Sequence, residues 1–198
     1  DPHSNSWGSH GLAVEDCGHP CSGSAGEFAN VRLYVEDFTQ YTLTLFGGDG
    51  RHLYTAGTKG VAGNGTSPVL QFGHVADAAV QTGTKLGPAF SNVFASDGDG
   101  GSANRVVKLL VAPLTSRPMI HVEWATPAIF RNPHSIALHA SSGLLVVADR
   151  EDSELRLLRA SDGADLGAWR TCGLRFGVEG VPFGVRALSR PGSSAHPD

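Results

Sequence analysis

An all-β fold is what this 198-residue sequence predicts, on three observations. Glycine (26) and proline (11) together approach a fifth of the chain, a balance that favours many turns over long helices. Apolar residues fall in short runs rich in β-branched and aromatic side chains and bounded by Gly, Ser and Asp, the pattern of strands. These runs recur in one order three times, so a repeated supersecondary unit sets the architecture.

The first unit runs SHGLAVED, then VRLYVEDFTQYTLTLF, then GGDGRHLYTAG. The second runs HVADAAV, then SNVFASDGDGGSANRVVKLLV, then MIHVEWA, and the third is FRNPHSIALHASSGLLVVADREDSELRLLRASDGADLGAW. In each, a strand and a loop precede a β-rich run that ends in an acid (Asp37, Asp97, Asp149), followed by a polar break and two more strands. GGDG at 47 to 50 and SDG at 161 to 163 are the expected hairpin turns. Four antiparallel strands repeated in this way describe the blade of a β-propeller. The units span about 9–57, 74–126 and 132–170, and a partial fourth at 178–190 begins in VPFGVRALSRPG and stops after one strand. CGHPCSGSAGEFAN and GTKGVAGNGTSPVLQFG are expected to be surface loops, so residues 1–198 form one domain without a linker. An incomplete propeller leaves the outer faces of its first and last units bare, and exposed apolar surface is expected there.

Composition narrows the partners. A net charge of −4 without any Lys/Arg cluster gives no footprint for nucleic acid or an anionic membrane. No apolar run approaches the ~20 residues of a spanning helix, and no signal peptide precedes Asp1, so a mature product or an excised fragment is expected. No phosphate-binding Gly loop, nucleophile elbow or defensible dyad is present.

Aligning the units on the start of their first strands brings His10, Ala76, His134 and Phe183 into register. Two imidazoles at equivalent places suit either hydrogen-bonding plugs in a channel or ligands to one metal. Arg150, after Ala148 and Asp149, suits an ion pair with Asp149, Asp152 or a neighbouring blade. Asp97 and Asp99 with nearby carbonyls offer hard oxygens for a structural calcium, against the competing reading of a bulged turn. Asn64 begins an NGT glycosylation sequon, and the remaining histidines, His74 among them, are assigned to surface or packing.

The breaks SDGDGGSANRVVKL and VADREDSELRLL resemble those of NHL repeats, and VEDFTQYTLTLF does so loosely. The resemblance spans nearly the whole chain and implies an NHL-type β-propeller, here three blades plus a partial fourth of an expected six. WGSHGLAVED, SDGDGGSANRVVKL, NPHSIALHASSGLLVVADR and LGAWRTC, in that order, are similar to a secreted or lumenal member of the family. More distantly they are similar to the lyase half of the peptidylglycine alpha-amidating enzyme, a six-bladed propeller with a catalytic zinc on three histidines of alternate blades. That likeness implies zinc ligation by His10 and His134, with a third histidine two blades beyond, and a substrate-carboxylate contact at Arg150. It also places Asp99 or Gly100 where the lyase has its tyrosine, which argues against the lyase reaction. The secretory context implies a Cys17–Cys21 bridge, with Cys172 unpaired, and a glycan at Asn64. The expected function is therefore a non-catalytic binding scaffold for a protein or small ligand at the propeller face. A zinc-dependent peptidyl-alpha-hydroxyglycine lyase and a purely structural module of a larger extracellular protein are the alternatives.

Overall fold

The computed structural model describes residues 9–18, 28–67, 69–112, 120–171, 182 and 184–186. Twelve strands are present among them: β1 (Ser9–Asp16), β2 (Val31–Asp37), β3 (Thr42–Gly47), β4 (His52–Ala56), β5 (Val75–Thr84), β6 (Gly87–Asp97), β7 (Arg105–Val111), β8 (Ile120–Ala125), β9 (Pro133–His139), β10 (Leu144–Asp149), β11 (Glu154–Arg159) and β12 (Asp165–Arg170). They form three antiparallel four-stranded sheets, each in sequence order. The only helical element among the described residues is a three-residue 3-10 turn at Ala140–Ser142. No helix there is long and apolar enough to cross a membrane. This is the all-β, incomplete propeller predicted by the repeats. The expected fourth unit lies outside the described residues, apart from Pro182 and residues 184–186.

Each sheet carries the same irregularity between its third and fourth strands, at Leu45/Phe46, Lys108/Leu109 and Leu157/Leu158. Bulges of this kind increase local twist, so the repeat extends to the curvature of the blades. One feature was not anticipated from the sequence: β5 and β6 form a single long hairpin whose ladder continues to Thr84↔Gly87. Gly83 (φ 74°) and Gly87 (φ 132°) supply conformations that let the strands continue past the register shift between Thr82 and Thr84.

The core lies between blades. Tyr34, Leu43 and Leu45 of the first blade pack with Val75, Val93, Val107 and Leu109 of the second. On the other side of the second blade, Phe94 and Val106 pack with Ile136, Leu145, Val147 and Leu158 of the third. Val93 and Phe94 are adjacent and serve opposite cores, as strand alternation requires. The central blade is thus buried on both faces, and six of the seven residues of RVVKLLV in β7 are buried. Among the described residues, the end blades leave apolar side chains exposed, Leu12 and Val14 on β1 and Leu166 and Trp169 on β12.

The acid that ends the second strand is a latch in the second and third blades, whereas Asp37 of the first caps its own turn at Thr39 and Gln40. Asp97 accepts the backbone N–H groups of Gly73 and His74 just before β5, at 2.7 and 3.0 Å. Asp149 does the same for Arg131 and Asn132 before β9. Arg105 adds a second hold, pairing with Asp97 at 3.1 Å while donating to the carbonyls of Asn64 and Gln71. A further buried group, Glu15, Arg32, Tyr34 and Ser91, ties the first blade to the second, with Tyr34 and Ser91 donating to the Glu15 carboxylate. Burial raises the Tyr34 phenol well above its usual range, and the charge on Glu15 raises it further.

Candidate axial site

Neighbouring first strands pack side by side, β1 on β5 and β5 on β9, so the starts of these strands converge at one end of the sheets. His10 enters at a register shift between Ser9 and Gly11. His134 follows Pro133, a residue suited to the first position of a strand, where its missing N–H costs no ladder bond. Their ring centroids are 5.0 Å apart and nearly perpendicular.

A third group reaches both rings. Asp99 leaves the turn after β6 and places its carboxylate 3.2 Å from His10 Nε2 and 3.9 Å from His134 Nε2. The ligand atoms of His10, Asp99 and His134 all lie within 4.8 Å of one another. Arg150, on the turn after β10, brings Nη1 to 3.0 Å from Asp99 Oδ1, and its Nη2 lies 3.6 Å from Glu151. Of the ion pairs expected for Arg150, the one formed is with a neighbouring blade. Asp97 and Asp99, read together as hard oxygens, serve different partners: Asp97 is the latch and Asp99 the hub.

Close packing explains how Asp99 gets there. A Cβ on Gly98 would lie 2.2 Å from Pro133 Cδ, so only glycine lets the turn lean onto the start of β9. On its other side the turn rests on His74, whose Nδ1 is 2.9 Å from the Asp99 carbonyl. His74 in turn stacks on Tyr41 (5.2 Å, 3°) and meets Phe38 edge-on at 4.9 Å, and Phe38 continues to His10 at 5.9 Å. The sequence pattern assigns His74 to surface or packing and gives no sign of Tyr41 or Phe38. His74 directly precedes β5, as His10 and His134 fall at the starts of β1 and β9, and that spacing was the available signal.

Tautomers can be assigned from the partners. The Ala76 carbonyl accepts at 2.9 Å from His10 Nδ1, so Nδ1 carries hydrogen. In the neutral ring Nε2 then presents a lone pair to the Asp99 carboxylate, a repulsive contact unless a proton or a metal cation lies between them. The Nδ1-to-carbonyl bond is also the usual second contact of a metal-bound histidine. Two imidazoles and a carboxylate suit zinc, whose ligands at ~2.0–2.1 Å would require the donors to draw in by ~1 Å.

Below the cluster a cavity of about 340 Å³ is lined by His10, Ala76, Asp77, His134, Ser135 and Arg186, among others. Asp77 joins the second and third blades there, accepting from the Ser135 hydroxyl at 2.6 Å and the Ile136 N–H at 3.2 Å. Glu36 is completely buried beside Gly11 and lifted to about 8, chiefly by burial and further by the charge of Asp77, against a lowering by its own backbone N–H.

Of the other predicted positions, Asn64 is exposed, with its carbonyl held by Arg105. Cys17 is buried at the end of β1, while Cys21 and Cys172 lie outside the described residues.

Comparison with known proteins agrees with the repeat. The NHL repeat family model matches residues 130–156. NHL repeat-containing protein 3 of Homo sapiens is 33% identical over 169 residues, covering 80% of this chain and 45% of the relative. Its counterpart in Mus musculus is 34% identical over 144 residues, covering 72% and 38%. The chain therefore spans less than half the length of these relatives. Among solved structures, the periplasmic gluconolactonase PpgL of Pseudomonas aeruginosa matches with a TM-score of 0.44 and 18% identity, covering 70% of this chain and 36% of the other. The β-propeller domain of Cps50 (Swd1) from Myceliophteria thermophila matches at 0.45 and 12%, covering 71% and 38%. The repeat match, the relatives and the three-blade topology together show an NHL repeat at residues 130–156 within the fold of a partial β-propeller.

Proposed function

We propose that this protein is a non-catalytic binding propeller whose axial mouth holds a divalent metal, zinc by its donor set, on His10, His134 and Asp99. The observation that carries the reading is the convergence of those three donors, with His10 Nδ1 fixed on the Ala76 carbonyl so that Nε2 is left for a cation. Bound there, zinc would act as a Lewis acid towards a ligand oxygen or a water. Arg150 stands beside the donors and would turn its guanidinium from Asp99 to an anionic group of the ligand. The partner class is a small anionic ligand or a protein segment presenting a carboxylate.

The secretory or extracellular route is the compartment this reading takes. It is supported by the exposed sequon at Asn64, and in this reading Cys17 forms a disulfide. Cys21 is the partner we propose.

A second reading, a zinc-dependent lyase acting on peptidyl-alpha-hydroxyglycine, is favoured by Arg150 standing beside the two histidines. Asp99 stands where that chemistry is expected to need a phenol, and a carboxylate tied to a guanidinium is a poor substitute for one. The binding reading therefore takes precedence.

Titration calorimetry with zinc tests it. The unaltered protein is expected to bind one equivalent, and His134→Ala to lose binding while its far-ultraviolet circular dichroism stays unchanged. Equal uptake by the two proteins, or none by the unaltered one, would remove the reading. Turnover of a peptidyl-alpha-hydroxyglycine substrate would replace it with the lyase.

A further inference from the structure

We propose that Tyr41 is a positioning residue for the axial site, holding the Asp99 turn in place through His74. The inference rests on the binding reading above and adds a residue to it.

The fold asks for a left-handed residue immediately before the third strand of every blade. Tyr41 (φ 59°), Asn104 (φ 47°) and Ser153 (φ 52°) occupy that place, and they are the non-glycine residues with positive φ among those described. The second blade meets the demand with asparagine, which adopts the conformation readily, and the third with a small serine. The first uses a bulky aromatic, for which this backbone is strained. Nor can the backbone relax easily, since Gly57 packs so closely that a Cβ there would lie 2.4 Å from the Tyr41 carbonyl.

What the strained choice provides is a ring lying parallel on His74. Phe38 meets the imidazole edge-on, and His74 Nδ1–H donates to the Asp99 carbonyl. Two aromatic side chains of the first blade thereby grip a turn of the second, the one that carries the carboxylate shared by His10, His134 and Arg150. A residue kept only for packing would gain nothing from tyrosine over asparagine at this backbone. Strain retained where a side chain meets a site is expected when the side chain serves the site.

The test replaces Tyr41 by the residue its sister blade uses. Tyr41→Asn relieves the backbone, so its melting temperature should equal or exceed that of the unaltered protein. Its zinc affinity should fall about tenfold or more, the usual cost of losing an outer contact to a metal site. Tyr41→Phe keeps the stacked ring and should bind as the unaltered protein does. A second readout does not depend on metal: amide hydrogen exchange at Gly98, whose N–H donates to the His74 carbonyl, and at Gly101, whose N–H donates to the Gly98 carbonyl within the turn, should quicken in Tyr41→Asn and not elsewhere. Zinc affinity unchanged in Tyr41→Asn overturns the proposal and leaves the site reading intact, and so does a melting temperature that falls together with affinity. If the unaltered protein takes up no zinc, the site reading fails, and unchanged exchange at Gly98 and Gly101 then overturns the role of Tyr41 as well.

Discussion

Replacing Glu36 by glutamine should remove this group's share of the fall in stability between pH 5 and pH 7. The side chain is fully buried beside Gly11, and its carboxyl oxygens have no hydrogen-bond partner among the described residues beyond a weak contact with their own backbone N–H. Burial is the main cause of its rise from 4.5 to about 8, and Asp77 contributes as a nearby like charge. For an acid raised on folding, the native state binds the extra proton, so its contribution is complete below 4.5 and is lost as pH climbs towards 8. Each pH unit well inside that window removes about 1.4 kcal/mol, so the unaltered protein should lose about 2.5 kcal/mol from this group between pH 5 and pH 7. Glutamine has the same shape and no proton to lose. Because it is as poorly hydrogen-bonded as the acid, its absolute effect is secondary and the difference in pH slope is what counts. Urea unfolding followed by tryptophan fluorescence at pH 5, 6, 7 and 8 measures both slopes. Groups remote from Glu36 titrate alike in the two proteins and cancel. Parallel profiles, with the same gap at pH 5 and pH 7, would show that Glu36 is solvated or paired and would refute the reasoning.

Three further outcomes are expected. Gly98→Ala places a Cβ 2.2 Å from Pro133 Cδ, and forcing the turn off β9 should cost about 1–3 kcal/mol in urea unfolding. Arg105→Met strands the buried Asp97 carboxylate along with two carbonyls, and a loss of about 3–5 kcal/mol in the same assay is expected. Leu12, Val14, Leu166 and Trp169 are bare on the two end faces, so the 198-residue chain alone should bind a hydrophobic dye and self-associate in ultracentrifugation, whereas Leu12→Ser with Trp169→Ser should reduce both.

The repeat made much of this structure legible, because its signals are local. Strand alternation, turn residues and the acid closing each second strand are written within a few residues of one another, and Asp37, Asp97 and Asp149 do end β2, β6 and β10. The pairing of His10 with His134 followed from aligning the units, since equivalent places on first strands point to one axis. Asp99 was legible as a carboxylate in the right turn, but its reach into the space between the rings depends on the contact of Gly98 with Pro133, far apart in sequence. Tyr41 escaped notice because its strain is a backbone property that no side-chain pattern displays until Asn104 and Ser153 are set beside it. Glu36 read as one more acid near a strand end, and only the packing of the first and second blades buries it.

The central claim is that His10, His134 and Asp99 hold one metal ion at the mouth of the propeller. X-ray absorption at the zinc edge of the zinc-loaded protein tests it most directly, by counting and identifying the ligands. Two imidazole nitrogens and a carboxylate oxygen at ~2.0–2.1 Å, with the imidazole signal halved in His134→Ala, are the expected result. A spectrum of oxygen ligands alone, of sulfur ligands, or one unchanged by His134→Ala would contradict it.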